Sequence, residues 1–336
     1  MIKDNLRNNK KVFFFTTVAA VSLLLIGCQD LGSPIEKQPG IKKKEKEDKI
    51  KMTERGVKFI VDPDDIVSGG PPKDGIPSID DPKFVSVKEA DKFIRDDELV
   101  LALDYKGVKR VYPLQILVWH EIVNDNVAGD PLAITYCPLC GSGIAYSRIL
   151  DGEEVEFGTS GKLYNSNLVM YDRKTNSYWS QIDGKAIVGE LTGKELKPVS
   201  LDTVVWRDWK KENPDSEVLS QDTGFDREYG KDPYGNYYEN SFVFFPVESE
   251  DNRVPPKTVI FGIEVNGKFK AYREDDLKKK SEITDDVGGV KINIKREKSG
   301  KVVITNEETG EEIVKERDFW FAWYAFHPDT DLFKKE

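Results

Sequence analysis

Alternating apolar and polar positions dominate the chain after about residue 60 and predict a succession of short β-strands. One predicted hairpin joins residues 99–105 to residues 108–112. Another joins residues 259–265 to residues 268–272 through Asn266-Gly267, a dipeptide typical of a type I′ turn. Further strands are predicted over residues 154–158, 185–188, 290–295 and 301–305. The pattern therefore predicts a β-rich α+β fold, with mostly antiparallel sheets or a barrel-like arrangement.

Only a few segments suggest helices laid on this sheet structure. Residues 113–126 begin with Pro113, which suits a first helical turn, and their apolar residues recur at helical spacing. A second helix is predicted over residues 202–211. Residues 319–326 are strongly aromatic and are predicted to form a strand that Pro328 terminates.

The first 27 residues have a different pattern. A basic segment precedes the largely apolar residues 12–26, which are followed by Gly27 and Cys28. This run is short for a membrane-spanning helix, which needs about 20 residues, and fits the apolar region of a signal peptide. Residues 25–28 resemble a bacterial lipobox, in which the cysteine is lipidated. We therefore expect residues 1–27 to be a lipoprotein signal peptide and Cys28 to carry the lipid; the alternative is an uncleaved signal anchor.

Composition indicates how the rest of the chain is organised into domains and where the protein is located. Residues 28–60 interleave basic and acidic side chains with few aromatic ones, which predicts a charged, flexible tether. Residues 61–336 are expected to form a single β-rich domain. The net charge of −10 argues against a nucleic-acid partner. The expected location is the cell envelope, outside the cytoplasm, with the membrane as a partner through the N-terminal lipid.

The candidate functional centre is the segment from Cys137 to Gly141 (CPLCG). The chain has three cysteines and two histidines, and Cys28 is assigned to the anchor. A Cys-x-x-Cys pair can hold a metal ion or cycle between a dithiol and a disulfide. The flanking patterns place the pair on a tight turn between two strands. No helix is predicted after Cys140, so the segment is closer to the knuckle of zinc ribbons than to thioredoxin-like motifs.

Four side chains are candidate metal ligands: Cys137, Cys140, His120 and His327. The neighbouring carboxylates Glu121 and Asp329 could orient the imidazoles from a second layer. A Cys₂His₂ set suits zinc and, with an open geometry, also copper. The alternative for each histidine is an ordinary core or helix-end residue.

The residues leave two main functions open. One is a lipoprotein that binds a transition metal, either zinc or copper. The other is a thiol–disulfide oxidoreductase in which Cys137 or Cys140 attacks a substrate and the other cysteine resolves the intermediate, with His120 or His327 as a base. A weaker alternative is a binding lipoprotein with structural cysteines, although a disulfide over so short a loop adds only about 2 kcal/mol. Whether the chain is an enzyme stays open, as do its substrate and oligomeric state.

Residues 158–162 lack the spacing of a phosphate-binding loop and are predicted to form a turn. Lys162, Ser166 and Asn167 are candidate pocket residues on this stretch.

Several segments resemble the prokaryotic family catalogued as domain of unknown function number 3179. They are residues 136–143 (YCPLCGSG), 112–125, 157–172, 177–181 and 319–330. The resemblance extends from about residue 60 to residue 332 and implies no assigned activity. Some relatives are described as selenoproteins, and we expect the selenium to lie in the segment matching Cys137 to Cys140. That position would imply a reactive site.

Overall fold

The structure of the protein, a computed structural model, describes residues 49–334. The predicted signal peptide, Cys28 and most of the predicted tether lie outside the described residues. The described strands are β1 (Lys51–Met52), β2 (Lys58–Phe59), β3 (Val67–Ser68), β4 (Phe84–Ser86), β5 (Leu99–Tyr105), β6 (Val108–Pro113), β7 (Ile122–Val127), β8 (Asp130–Cys137), β9 (Ser142–Ser147), β10 (Ile149–Leu150), β11 (Glu153–Glu154), β12 (Phe157–Tyr164), β13 (Asn167–Asp172), β14 (Tyr178–Ser180), β15 (Ala186–Val188), β16 (Pro198–Val199), β17 (Asp202–Val205), β18 (Glu217–Leu219), β19 (Val259–Val265), β20 (Lys268–Arg273), β21 (Glu282–Val287), β22 (Val290–Arg296), β23 (Val302–Asn306), β24 (Lys315–Phe319) and β25 (Asp331–Leu332).

Helices are short. Over residues 49–334 they are α1 (Val87–Ala90), α2 (Leu114–Leu117), α3 (Trp206–Glu212), α4 (Glu274–Lys279) and α5 (Trp320–Phe326), with 3₁₀ turns at Pro63–Asp65 and Tyr237–Glu239. None of the described helices has the length and apolar character needed to cross a membrane.

The strands form sheets in which nearly all neighbours are antiparallel. The largest sheet has the order β1-β2-β15-β14-β13-β12-β3, and a five-stranded sheet has the order β17-β5-β6-β18-β4. Two four-stranded sheets run β16-β9-β8-β7 and β24-β19-β20-β25. Smaller sheets run β21-β22-β23 and β10-β11. This architecture confirms the predicted β-rich fold with mostly antiparallel sheets and a few helices.

Both predicted hairpins are present. β5 pairs with β6 as far as Tyr105 opposite Val108, and β19 pairs with β20 as far as Val265 opposite Lys268. At the second turn, Asn266-Gly267 has φ values of 52° and 72°, which is the left-handed backbone that a type I′ turn requires.

The helix predicted over residues 113–126 is wrong for most of its length. Helix α2 ends at Leu117, and β7 begins at Ile122. β7 pairs with β8 along all six of its residues, from Ile122 opposite Thr135 to Val127 opposite Asp130. A partner strand adjacent in the chain therefore overrides the local helical spacing.

Two other boundaries also differ from the sequence pattern. Residues 202–205 form β17, and helix α3 begins only at Trp206. Residues 320–326 were predicted to form a strand but form helix α5. Trp320 and Trp323 recur at helical spacing and pack with Ile260 and Ala271 on one side of α5. Phe321 and Ala322 are buried in a second core cluster, so packing on two sides of α5 explains why the aromatic run is helical.

The core extends around the turn between β8 and β9. Apolar side chains from β7 to β9 and from β12 to β15 bury the CPLCG segment in one cluster, which includes Ile122, Cys137, Cys140, Phe157, Met170, Trp179 and Phe319. The candidate site therefore lies inside the domain rather than on an exposed loop.

Candidate functional site

The CPLCG segment forms the turn between β8 and β9, as predicted. The Cys140 amide donates to the Cys137 carbonyl at 3.2 Å, and the Gly141 amide donates to the Pro138 carbonyl at 3.2 Å. Gly141 has φ 62°, and a Cβ at this position would lie 3.0 Å from the Phe319 ring. Only glycine fits this conformation and this contact without strain.

Two hydrogen bonds from distant residues hold the turn in place. The Tyr237 hydroxyl donates to the Leu139 carbonyl at 2.9 Å. The Phe319 amide, at the end of β24, donates to the Cys140 carbonyl at 2.8 Å. The carbonyls of Leu139 and Cys140 are thus satisfied by distant residues, which fixes the position of the turn and its two cysteines in the fold.

The two cysteines are both free thiols, but their surroundings differ. Cys137 lines a cavity of about 200 Å³. Cys140 lies deeper: its thiol donates to the Ser166 carbonyl at 3.4 Å, and the Asn167 amide donates to its Sγ at 3.5 Å. Burial raises the pKa of the Cys140 thiol well above its usual value, and neighbouring Cys137 raises it further. Of the two thiols, Cys137 is therefore the one placed to meet a molecule in the cavity.

The environment of Cys140 is a buried polar network. Asn167 also donates to the Gln181 side-chain oxygen at 2.7 Å, and Gln181 donates to the Thr135 hydroxyl at 3.0 Å. These bonds fix the Asn167 amide so that its second hydrogen can point at the sulfur. Asn167 lowers the pKa of the Cys140 thiol, in opposition to burial.

The cavity beside Cys137 has mostly apolar walls, formed by Ile76, Leu139, Leu163, Leu168, Phe244 and Phe245. Its polar lining comes from Glu121, Thr159, Lys162 and Tyr234. Pockets for drug-sized ligands usually measure roughly 300–1,000 Å³. A cavity of about 200 Å³ suits a smaller molecule.

Glu121 is the most unusual residue of this cavity. Its φ of 58° lies in the left-handed region, which costs a residue with a side chain on the order of 1–3 kcal/mol. Two hydrogen bonds enforce the conformation: the Glu121 amide donates to the Leu117 carbonyl at 2.8 Å, and the Tyr136 amide donates to the Glu121 carbonyl at 2.7 Å. The end of α2 and the pairing of β7 with β8 thus turn the carboxyl into the cavity.

Glu121 is 7% exposed, and the Tyr234 hydroxyl donates to Oε1 of its carboxyl at 3.4 Å. Burial raises the pKa of Glu121 to about 8, and the hydrogen bond from Tyr234 opposes this rise. At neutral pH the carboxyl is therefore mostly protonated and can donate a hydrogen bond.

His120 is fully engaged away from the cysteines. Its Nδ1 lies 2.7 Å from the Pro77 carbonyl and its Nε2 lies 2.6 Å from the Tyr229 hydroxyl. Because a carbonyl only accepts, Nδ1 carries the proton and Nε2 accepts from tyrosine. Burial lowers the pKa of His120, which favours this neutral form. The ring is therefore a structural link, and Glu121 faces the cavity instead of orienting this imidazole.

His327 stacks on Phe269 with ring centroids 4.3 Å apart and packs against Trp323 at 4.2 Å. Burial lowers the pKa of His327 to about 3, and neighbouring Asp329 is exposed. Within residues 49–334, no group of three or more His, Cys, Asp or Glu side chains is arranged to hold a metal ion. The described residues thus bring the two cysteines together without either histidine, and the zinc or copper centre stays a prediction.

The predicted turn at residues 158–162 is instead part of β12, with a bulge between Thr159 and Lys162. At the bulge, Gly161 has φ 72°, and a Cβ there would collide with the Pro71 carbonyl. The bulge lets Lys162 line the cavity, whereas Ser166 and Asn167 lie beside Cys140. All three predicted pocket residues are therefore close to the cysteine pair.

Two features of the site were not predicted: the cavity role of Glu121 and the contribution of Tyr234. Tyr234 is 113 residues away from Glu121 in the chain, in a long segment without strands. One feature of the sequence could have indicated that this segment contributes to a buried site. Residues 234–245 contain more aromatic residues than is usual for a surface loop.

Comparison with known proteins gives one match. The model of the family described as "Protein of unknown function (DUF3179)" matches residues 73–330, a range that contains both cysteines, Glu121 and Tyr234. Neither the curated proteins nor the solved structures yielded a match.

Proposed function

The chain belongs to the family described as Protein of unknown function (DUF3179), and we propose that this member is a thiol-dependent reductase. In this proposal Cys137 attacks the substrate and Cys140 resolves the intermediate. The observation that carries the proposal is the arrangement of the two thiols: Cys137 lines a small cavity beside a buried carboxyl, and Cys140 lies directly behind it.

The reaction has two steps on the protein. The Cys137 sulfur attacks the oxidised atom of the substrate, and the Cys140 thiol then attacks the Cys137 sulfur to form a disulfide. The cysteine pair loses two electrons and two protons, which the substrate gains. An external small-molecule thiol then reduces the disulfide and restores both thiols.

Glu121 supports the first step by moving protons. A thiol is a weak nucleophile until its proton leaves, and the reduced product needs a proton in return. A carboxyl with a pKa of about 8 is mostly protonated near neutral pH, so it can give its proton to the reduced product and take the thiol proton in return. Burial raises the pKa of Tyr234, so its hydroxyl stays protonated and holds the carboxyl in position.

The proposal includes a location outside the cytoplasm on a lipid anchor. Its support is the sequence of residues 1–27 and Cys28. The metal-binding alternative has less support from the geometry, because both ring nitrogens of His120 already have hydrogen-bond partners.

The test is oxidation of the reduced full chain with diamide, followed by peptide mass spectrometry. We expect a Cys137–Cys140 disulfide that dithiothreitol reduces again, over repeated cycles. Cys28→Ser is the matched control and should retain the cycle, whereas Cys137→Ser and Cys140→Ser should lose it. The proposal fails if the wild-type pair stays reduced, or if its disulfide cannot be reduced again while the protein is folded.

A further inference from the structure

Access to Cys137 limits the kind of substrate that the site can accept. The residue is 1% exposed, and Tyr234, Phe244 and Phe245 are among the residues that line its cavity of about 200 Å³. A disulfide of a folded protein could not reach the sulfur through so small a space. The substrate of the proposed reductase is therefore a small molecule.

The polarity of the cavity limits the charge of that molecule. Its walls are mainly apolar, and an ion placed against them would lose hydration without a matching partner. Lys162 lines the cavity but is partly exposed, so its ammonium can stay at the solvent edge. The inner part, around Cys137 and Glu121, suits a neutral group with short apolar arms.

The Glu121 carboxyl is a donor in the inner part, because the hydroxyl protons of Tyr234 and Thr159 are already donated to Glu121 and to the Ile76 carbonyl. The Tyr234 hydroxyl donates to Oε1 of Glu121, which leaves the proton of the neutral carboxyl free to donate into the cavity. The matching ligand group is a strong acceptor that has no hydrogen to donate.

Disulfides, hydroperoxides and sulfoxides are three classes of small molecule that oxidise thiols. Disulfides and hydroperoxides need a thiolate, and neither needs an acid before the attack. A sulfoxide reacts with a thiol once its oxygen is protonated, and its S=O group accepts hydrogen bonds but donates none. A protonated carboxyl beside a thiol in an apolar cavity matches the sulfoxide best.

We infer that the Cys137 cavity binds and reduces a small, neutral organic sulfoxide; this inference rests on the proposed reductase function. Glu121 donates its proton to the sulfoxide oxygen while the Cys137 sulfur attacks the sulfoxide sulfur. The thiol proton replaces the proton that Glu121 gave up. The oxygen then passes to the Cys137 sulfur as the S–O bond of the substrate and the new bond between the two sulfur atoms both break. The products are a thioether and a Cys137 sulfenic acid, which Cys140 converts to the disulfide with release of water.

The test is a single turnover of the reduced full chain with racemic methyl phenyl sulfoxide. We expect one molecule of methyl phenyl thioether to form for each Cys137–Cys140 disulfide. Because the cavity is chiral, one enantiomer of the sulfoxide should be consumed and the other should remain. Chiral chromatography measures both quantities, and the same reaction with tert-butyl hydroperoxide runs in parallel.

Glu121→Gln should slow thioether formation by roughly 10²–10⁴-fold, as expected for loss of a general acid. The exposed Glu212→Gln is the matched control and should react at the wild-type rate. The wild-type pH profile needs no variant: the rate should fall as pH rises through about 8, where Glu121 loses its proton.

The outcomes separate this inference from the proposed function. If tert-butyl hydroperoxide or diamide forms the disulfide but the sulfoxide yields no thioether, the sulfoxide inference is wrong and the reductase proposal stands. If no oxidant forms the disulfide, both are wrong. Equal loss of the two enantiomers, or an unchanged rate in Glu121→Gln, would also overturn the inference.

Discussion

The raised pKa of Glu121 makes a quantitative prediction about stability. In the unfolded chain its carboxyl should titrate near the ordinary value of 4.5, whereas in the folded protein burial raises the pKa to about 8. Between these two pH values the folded state keeps a proton that the unfolded state has lost. The contribution of Glu121 to folding stability therefore falls as pH rises through this window.

The size of the effect follows from the shift. Each pH unit across the window corresponds to about 1.36 kcal/mol, so the full window corresponds to about 3–5 kcal/mol. Glu121→Gln removes the titration and keeps the shape of the side chain. The free energy of unfolding of the variant, minus that of the wild type, should therefore increase by about 3–5 kcal/mol from pH 5 to pH 9.

The assay is urea unfolding of both proteins at several pH values, with the difference taken at each pH so that other titrating groups cancel. Glu212→Gln, at an exposed position, serves as the control and should give a flat difference. Parallel stability curves for the wild type and Glu121→Gln would refute the raised pKa of this buried carboxyl, and with it the proton donor of the proposed reaction.

Three further predictions concern the turn, the deeper thiol and the histidine. Gly141→Ala should lower the free energy of unfolding by about 1–3 kcal/mol, measured in urea, because alanine is strained at φ 62° and its Cβ would press on the Phe319 ring. Asn167→Ala removes the donor to Cys140 Sγ and should slow disulfide closure about 2–10-fold in stopped-flow oxidation, the effect of one hydrogen bond. His120→Ala should cost about 1–3 kcal/mol of stability by leaving the Pro77 carbonyl unpaired, yet leave the zinc and copper content unchanged in elemental analysis. A metal content that falls in His120→Ala would instead favour a metal site.

The residue types within short segments were sufficient to predict two turns of this protein. The hairpin at Asn266-Gly267 and the cysteine turn ending at Gly141 depend on backbone conformations that few residues adopt, so the residues themselves mark these places. Lys162 was also a candidate pocket residue, and it lines the cavity.

Long-range pairing explains what could not be predicted. The apolar spacing of residues 113–126 fits a helix, and only the pairing of β7 with β8 makes its second half a strand. The change also moves Glu121 from a helix face to a left-handed turn, which points its carboxyl at the cavity. Tyr234 completes the site from far along the chain, and nothing near Cys137 in the sequence indicates that contact.

The predicted grouping of the histidines with the cysteine pair also depends on contacts between residues that are distant in the chain. A chain with two histidines and a Cys-x-x-Cys motif suggests one shared centre. Sequence does not show that a backbone carbonyl and a tyrosine hydroxyl already occupy both nitrogens of His120. Nor does it show that His327 is stacked against Phe269.

The central claim is that Cys137 is the attacking thiol and Cys140 is the resolving thiol. Dimedone labelling during oxidation tests this claim most directly, because dimedone reacts with sulfenic acids. The protein is treated with a stoichiometric dose of tert-butyl hydroperoxide. We predict a dimedone adduct on Cys137 in the Cys140→Ser variant and no adduct on Cys140 in the Cys137→Ser variant. The wild type should give little adduct, because its disulfide forms first. An adduct on Cys140 in Cys137→Ser, with none on Cys137 in Cys140→Ser, would contradict the assignment.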